Sequence, residues 1–249
     1  MRNVRIMIFN VGYLTGITSF FSVEYFFKIH HLMFPSNAHR EKIARGVAGL
    51  IEKENPDIVF LAEIRNERYI AAIQRLFMKS YVDAKYGPGS MLHRMPFFCG
   101  NCNALFLKKS LPVSTLFLGS GTKKLVYRVD ISENFSAFFV HLALGKSVRR
   151  KQFAEIAGMV GEVPRTKHVI VAGDFNIFGG FSELQELTDR TGLCVVNHPA
   201  EHTFPTSRPR HTIDLILASP GLQVAGIHIH RDVFLSNHLP VCVDLKFEP

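Results

Sequence analysis

The sequence predicts an α/β protein of mixed or antiparallel type, with sheets packed against each other and helices outside. Two observations carry that expectation. Strand-like runs outnumber helical ones along the 249 residues, and some, such as 124–130 and 135–142, lie too close together for a helical crossover between them. The runs at 57–62 (DIVFLA) and 167–172 (KHVIVA) are also short and apolar, as buried strands are. Hydrophobic residues make up 47% and charged residues 20%, which excludes a disordered chain, and the length suits one domain spanning 1–249.

The first strand, 1–11, alternates Val4, Ile6 and Ile8 with polar or basic partners. An aromatic stretch follows over 12–35. Ser36 or Asn37 then caps a helix reaching about residue 55, with Ile43, Val47, Leu50 and Ile51 at helical spacing and Pro56 as its stop. After the strand at 57–62 a second helix is expected over 67–79, then a loop over 83–100 marked by Gly87, Pro88, Gly89 and Pro96. Strands are expected at 103–108, 124–130 and 135–142, a helix at 148–160, the strand at 167–172 and a short helix near 182–190. Strands at 211–218, 223–230 and 241–247 complete the chain; in the second of these, Ile227 and Ile229 alternate with two histidines.

The formal charge of +8 favours polyanionic partners: nucleic acid, anionic lipid or phosphorylated metabolites. Cys99, Cys102, Cys194 and Cys242 are read as unpaired thiols in a reducing compartment; one C-x-x-C pair (Cys99, Cys102) without a second makes no four-ligand zinc site. With no secretory signal read at the start, and with Glu24, Lys28, His30 and His31 interrupting the Phe-rich segment 14–34, the expected location is the cytoplasm.

The informative pattern is where polar residues fall. IMIF runs into Asn10, IVFLA into Glu63, AFFV into His141, and HVIVAG into Asp174 with Asn176 beyond. Asp214 lies within the apolar run 213–217, and Ser236-Asn237-His238 precedes the last strand. A single polar residue at a strand end is ordinarily a turn or cap. Six together mark strand ends converging on one cleft. Their types fit phosphate-ester hydrolysis. Glu63 and the Asn10 amide oxygen suit a hard cation, Mg²⁺ or Mn²⁺. Asp174 is a candidate base for water; Asn176, His141 and His238 are donors for phosphoryl oxygens, and Asp214 is a partner that fixes the tautomer of His238.

These same residues make the sequence similar to the endonuclease/exonuclease/phosphatase (DNase I-like) superfamily, and to its compact bacterial members in particular. The motifs span nearly the whole chain: FNV around Asn10, LAE at Glu63, NALFL at Asn103, VHL at His141, GDFN at 173–176, TIDLIL at Asp214 and SNHLPV at 236–241. The resemblance implies a four-layer α/β sandwich, two packed mixed sheets flanked by helices. It implies metal binding by Asn10, Glu63 and the position of Asn237, water activation by Asp174 with Asn176, phosphate contact by His141, and substrate contact near Asn103. It also implies a transition-state pair in Asp214 and His238. Asn237 departs from the pattern, since an aspartate ordinarily stands there; the amide keeps an acceptor oxygen but loses a charge.

The resemblance leaves the substrate open, because one fold serves many substrates. A nuclease fits the basic residues Lys123, Lys124, Lys146, Arg149, Arg150, Lys151, Arg208 and Arg210, read as a rim. A lipid-headgroup phosphodiesterase with peripheral membrane contact fits Phe20, Phe21, Tyr25, Phe26 and Phe27. A non-catalytic phospho-ligand binder and a thiol redox role for Cys99 and Cys102 are the rival classes. The chain is expected to act as a monomer. His30, His31, His198, His202, His228 and His230 show no ligand spacing and are read as surface or loop.

Overall fold

The computed structural model describes residues 2–19, 36–65, 67–95 and 98–248. The first strand, β1 (Arg2–Asn10), shows why two sheets form. Val4, Ile6 and Ile8 enter one apolar cluster while Met7 and Phe9 enter another, so the strand is buried on both faces. The same holds for β7 (Phe135–His141): Phe135, Ala137 and Phe139 join the cluster of Val4, and Phe138 and Val140 join a third. That shared cluster lies between the sheets, and the other two lie between each sheet and its helices.

The remaining strands are β2 (Ile58–Arg65), β3 (Lys79–Ala84), β4 (Asn101–Leu107), β5 (Val113–Phe117), β6 (Leu125–Ser132), β8 (His168–Asp174), β9 (Cys194–Val195), β10 (Asp214–Ala218), β11 (Gln223–Ile229) and β12 (Val241–Phe247). Among the described residues they form two mixed six-stranded sheets, ordered β11-β12-β1-β2-β4-β3 and β5-β6-β7-β8-β10-β9. Each sheet has one parallel pair at its centre, β1 with β2 and β7 with β8, so the C-terminal ends of those pairs coincide. The four-layer sandwich is the architecture expected from the sequence. No described helix is long and apolar enough to cross a membrane.

Helix α1 (Asn37–Glu54) starts at Ser36, whose hydroxyl accepts from the His39 N–H at 3.2 Å. It ends at Asn55 in the left-handed conformation. Ile43, Val47, Leu50 and Ile51 cover the outer face of the β1 sheet. Helix α3 (Lys146–Gly161) buries Phe153, Ile156 and Val160 on the other sheet, beside the shorter α4 (Gln185–Thr191).

Three expectations are corrected. The helix over 67–79 is instead a 3-10 turn, Glu67–Ile70, then a single turn α2 (Ala71–Gln74) and the start of β3. Ile70 and Ile73 pack against α1, and from residue 79 the period becomes two, Tyr81 facing the inter-sheet core and Val82 the outer one, because β3 pairs along β4. The supposed loop 83–100 accordingly begins with the end of β3 and contains a 3-10 turn at Met91–Arg94. Arg149 is no rim residue: it is buried, its guanidinium donating to the Ala143 and Leu144 carbonyls and to Glu183. The aromatic residues Phe20, Phe21, Tyr25, Phe26 and Phe27 lie outside the described residues.

Candidate active site

Strand register brings the polar strand ends together. His141 is opposite Asp174 across the parallel β7–β8 pair, and Asp214 is opposite Asp174 across the antiparallel β8–β10 pair. Asn10 ends β1, and its amide Nδ2 donates to Asp174 Oδ2 at 2.9 Å, joining the two sheets at this end. The other oxygen of Asp174 accepts the Asn176 backbone N–H at 3.0 Å. Asn176 takes a left-handed φ of 54°, and its side-chain amide donates to the Leu142 carbonyl at 2.9 Å.

Gly173 makes this approach possible. Its φ is 143°, and a Cβ there would stand 1.9 Å from the Val140 carbonyl oxygen. Only glycine fits so close to the neighbouring strand.

Glu63 is aimed by a bulge. Leu61 pairs with Ala104 and Ile64 with Cys102, so Ala62 and Glu63 together face Asn103. Glu63 has φ 56°, and its N–H donates to Asn103 Oδ1 at 3.2 Å. Asn103, buried in the sheet, thus also braces Glu63.

Around the Glu63 carboxylate stand three cationic or imidazole groups. Its Oε1 lies 3.6 Å from His141 Nε2, 3.7 Å from Lys123 Nζ and 3.8 Å from Lys85 Nζ. Lys85 also donates to the Tyr13 hydroxyl, and Lys123 to His141 Nε2. Lys123, read from sequence as part of a rim, sits inside the site. Lys85 and Tyr13 were not among the residues expected there. Tyr13 stands in the GYLTG stretch just after the first motif; Lys85 carries no motif and becomes visible only when β3 is placed beside β4.

His238 Nδ1–H donates to Asp214 Oδ2 at 2.9 Å, leaving Nε2 facing the site 3.9 Å from Asp174 Oδ2. His141 Nε2 approaches that same Asp174 oxygen at 3.5 Å. Asp174, Asp214 and His238 offer ligand-type atoms all within 4.8 Å of one another. Asn237 is held at its carbonyl by the Thr206 N–H at 2.9 Å, and its Oδ1 accepts from the Ser236 hydroxyl at 3.3 Å.

Burial and these neighbours set the protonation states. Burial lowers the basicity of the His238 ring, but Asp214 and Asp174 outweigh it and raise the pKa to about 9, so the ring is an imidazolium at neutral pH. Burial, then Lys123 and Lys85, push His141 well below the ordinary histidine value, so it is neutral. Burial raises Asp174, with Asp214 acting in the same direction and His238 against it. Burial would raise Glu63 too, but Lys85, Lys123 and His238 together bring it below the ordinary value. Burial drops Lys85 to about 8.

The oxygen donors of Glu63, Asn10 and Asn237 are of the kind that suits a hard divalent cation. Gly12 links two of them: its N–H donates to Asn10 Oδ1 at 3.0 Å, and a Cβ on it would lie 3.3 Å from Asn237 Oδ1. Glu63, Asn10 and Asn237 are oxygen ligands of the type Mg²⁺ or Mn²⁺ takes, with a single carboxylate charge among them. Lys85 and Lys123 stand against that carboxylate, so a cation there would have to displace at least one ammonium from it.

The model of the Endonuclease/Exonuclease/phosphatase family matches residues 10–238, the span from the first to the last of these residues. Solved structures agree in fold. The truncated TDP2 of Caenorhabditis elegans superposes with a TM-score of 0.68 at 18% identity, over 98% of this chain and 97% of that one. An endonuclease/exonuclease/phosphatase from Bacteroides vulgatus gives 0.66 at 16% identity over 100% of both chains. The TDP2 of D. rerio complexed with single strand DNA product gives 0.65 at 15% identity, over 99% of this chain and 100% of that one. A curated protein from Rhizobium etli, named arginine–tRNA ligase, is 26% identical over 141 residues; the match covers 57% of this chain but only 22% of that protein's length.

Proposed function

The chain belongs to the endonuclease/exonuclease/phosphatase family, and on that premise we propose that it is a divalent-metal-dependent hydrolase of phosphate esters, a phosphodiesterase or phosphatase, working as one domain over 1–249 and as a monomer. The observation that carries this reading is the buried cluster of Asp174, Asp214 and His238, a carboxylate raised in basicity beside an imidazolium held by a second carboxylate.

In this reading Asp174 takes the proton of the attacking water. Burial moves its carboxyl toward the working pH, as a general base requires. Asn10 and Asn176 each donate to one of its oxygens, which fixes the carboxylate plane. Asn176 holds the water and the phosphate. His238, charged and tied at Nδ1 to Asp214, directs its Nε2–H at the negative charge that develops on the phosphoryl oxygens. Neutral His141 is the phosphate contact in this reading, its Nε2 turning from the Lys123 ammonium to present an Nε2–H to the phosphoryl oxygen. Asn103 keeps Glu63 in its bulged conformation beside the substrate. The cation, held by Glu63, Asn10 and Asn237, supplies Lewis-acid polarisation of a phosphoryl oxygen when bound.

Nucleic acid is the substrate class with the most support. The chain carries a net charge of +8, and a relative of the same fold is known with single strand DNA product. The basic surface is smaller than the sequence implied, with Arg149 buried and Arg150 at 3.4 Å from Glu186.

Hydrolysis of bis-p-nitrophenyl phosphate after chelation with EDTA tests the metal dependence. Turnover lost on chelation and restored by Mg²⁺ or Mn²⁺ is the expected result; turnover untouched by EDTA contradicts it. Asn237→Asp adds a second carboxylate to the cation site, and the Mg²⁺ concentration for half-maximal rate is expected to fall about tenfold, since charge count tunes affinity for hard cations. An unchanged titration would remove Asn237 from the ligand set.

A further inference from the structure

We propose that Glu54, His230 and Cys242 form a second cation site, separate from the catalytic cluster and of the borderline-soft kind that Zn²⁺ fills. The three come from different elements: Glu54 ends α1, His230 follows β11, and Cys242 is the second residue of β12. Their ligand atoms all lie within 4.8 Å of one another. His230 Nε2 stands 3.4 Å from Cys242 Sγ and 3.8 Å from Glu54 Oε2. A tetrahedral zinc with bonds of about 2.0–2.3 Å places neighbouring ligand atoms roughly 3.3–3.6 Å apart. The cluster is thus within a few tenths of an ångström of that geometry along both measured edges.

The register explains how these groups meet. His228 is opposite Cys242 in the β11–β12 pair, and Gly226 is opposite Asp244. Directly paired residues share a face, so Cys242, His228 and Asp244 stand on the outer side of the sheet, which α1 covers. That face is not the one that builds the catalytic cluster. Glu54 and His230 also line a pocket of about 450 Å³ with Arg5, His228 and Asp232, so two of the three ligands are reached from solvent, while Cys242 is buried outside that lining.

The donor chemistry selects the metal. A thiolate, an imidazole and one carboxylate suit zinc and its neighbours, whereas Mg²⁺ and Ca²⁺ take oxygen alone. The His230 ring is held below the ordinary histidine value, first by burial, and so is neutral and free to donate a lone pair. Burial raises the Cys242 thiol to about 12, so binding must release its proton to solvent, as thiolate ligation does. Arg5, 3.8 Å from Glu54 Oε2, is no obstacle: its fork is engaged by Asp244 at 2.7 and 2.9 Å and remains satisfied if Glu54 turns to a metal. A cation here would tie the edge strand β11 and β12 to the last turn of α1.

The test is a Co²⁺ titration of the full chain, stripped of metal, with Cys99, Cys102 and Cys194 replaced by serine so that Cys242 is the one thiol left. The proposal expects a near-ultraviolet thiolate-to-cobalt band saturating at one equivalent, displaced by Zn²⁺ and not by excess Mg²⁺. Cys242→Ser should abolish it, and His230→Ala should weaken binding at least about tenfold. Cys242 is buried, so if its serine variant does not fold, His230→Ala and Glu54→Gln at the partly exposed positions decide. Absence of the band, or Co²⁺ affinity unchanged in both of those variants, overturns the proposal.

Discussion

His238→Ala is expected to lower kcat/KM by about 10²–10³-fold, the usual loss on removing a preorganised donor to a developing oxyanion. In the proposed reading the ring serves as that donor, its charge supported by Asp214 and Asp174. It is buried, Nδ1 is tied to Asp214 at 2.9 Å, and its pKa lies at about 9. Because the raised value belongs to the charged form, the sign is fixed: the imidazolium contributes fully below the ordinary histidine value and is lost as pH rises through about 9. The rate should therefore hold near neutrality and decline above about pH 9. Asp214→Asn removes the carboxylate that supports the charge, so the alkaline limb should move down by one pH unit or more. Its own rate loss should be smaller than that of His238→Ala. A profile of kcat/KM over about pH 6–10 for wild type and Asp214→Asn checks both points. An alkaline limb that stays in place in the variant would mean that another group sets it. The same shift should make the protein less stable as pH rises through about 9.

Gly173→Ala is expected to destabilise the protein by about 4 kcal/mol or more, or to prevent folding. The added methyl would stand 1.9 Å from the Val140 carbonyl oxygen, a backbone atom with no rotamer to turn away, and the φ of 143° excludes side chains in any case. The position is next to Asp174, so a variant that does fold should also lose activity. Gly158→Ala provides the contrast: that glycine lies within α3 with nothing within 4 Å of an added Cβ, and the substitution should stabilise by about 0.5–1 kcal/mol. Urea denaturation of the two variants compares them directly. A Gly173→Ala protein as stable as wild type would mean that β7 and β8 are not packed as described.

Much of the site is legible in the sequence because its residues end strands whose apolar runs are themselves legible. Asp174 and Asn176 follow HVIVAG, Asn10 follows IMIF, and His141 ends AFFV; the register then places them opposite one another. What the sequence conceals depends on contacts between distant residues. Lys85 reaches Tyr13 across 72 positions, and neither residue type nor spacing announces it. The bulge at Glu63 shows only when β2 is set against β4. Asn103 carried the right motif, but its part in holding Glu63 depends on that bulge. The elements misread from sequence lie at edges. β3 and β5 each pair on one side only and are half-exposed, so their alternation is weak. His230 appeared as one of six scattered histidines, and only the β11–β12 pairing sets it beside Cys242.

The measurement that bears most directly on the account is turnover of a phosphoester panel (supercoiled DNA, an abasic oligonucleotide, RNA, sphingomyelin and phosphoinositides) by wild type and Asp174→Asn side by side in Mg²⁺ or Mn²⁺. The account predicts that wild type cleaves at least one of these, nucleic acid foremost, and that Asp174→Asn loses about a thousandfold or more in kcat while remaining folded. Equal turnover by the two proteins, or none by wild type on any ester with the metal demonstrably bound, would contradict it.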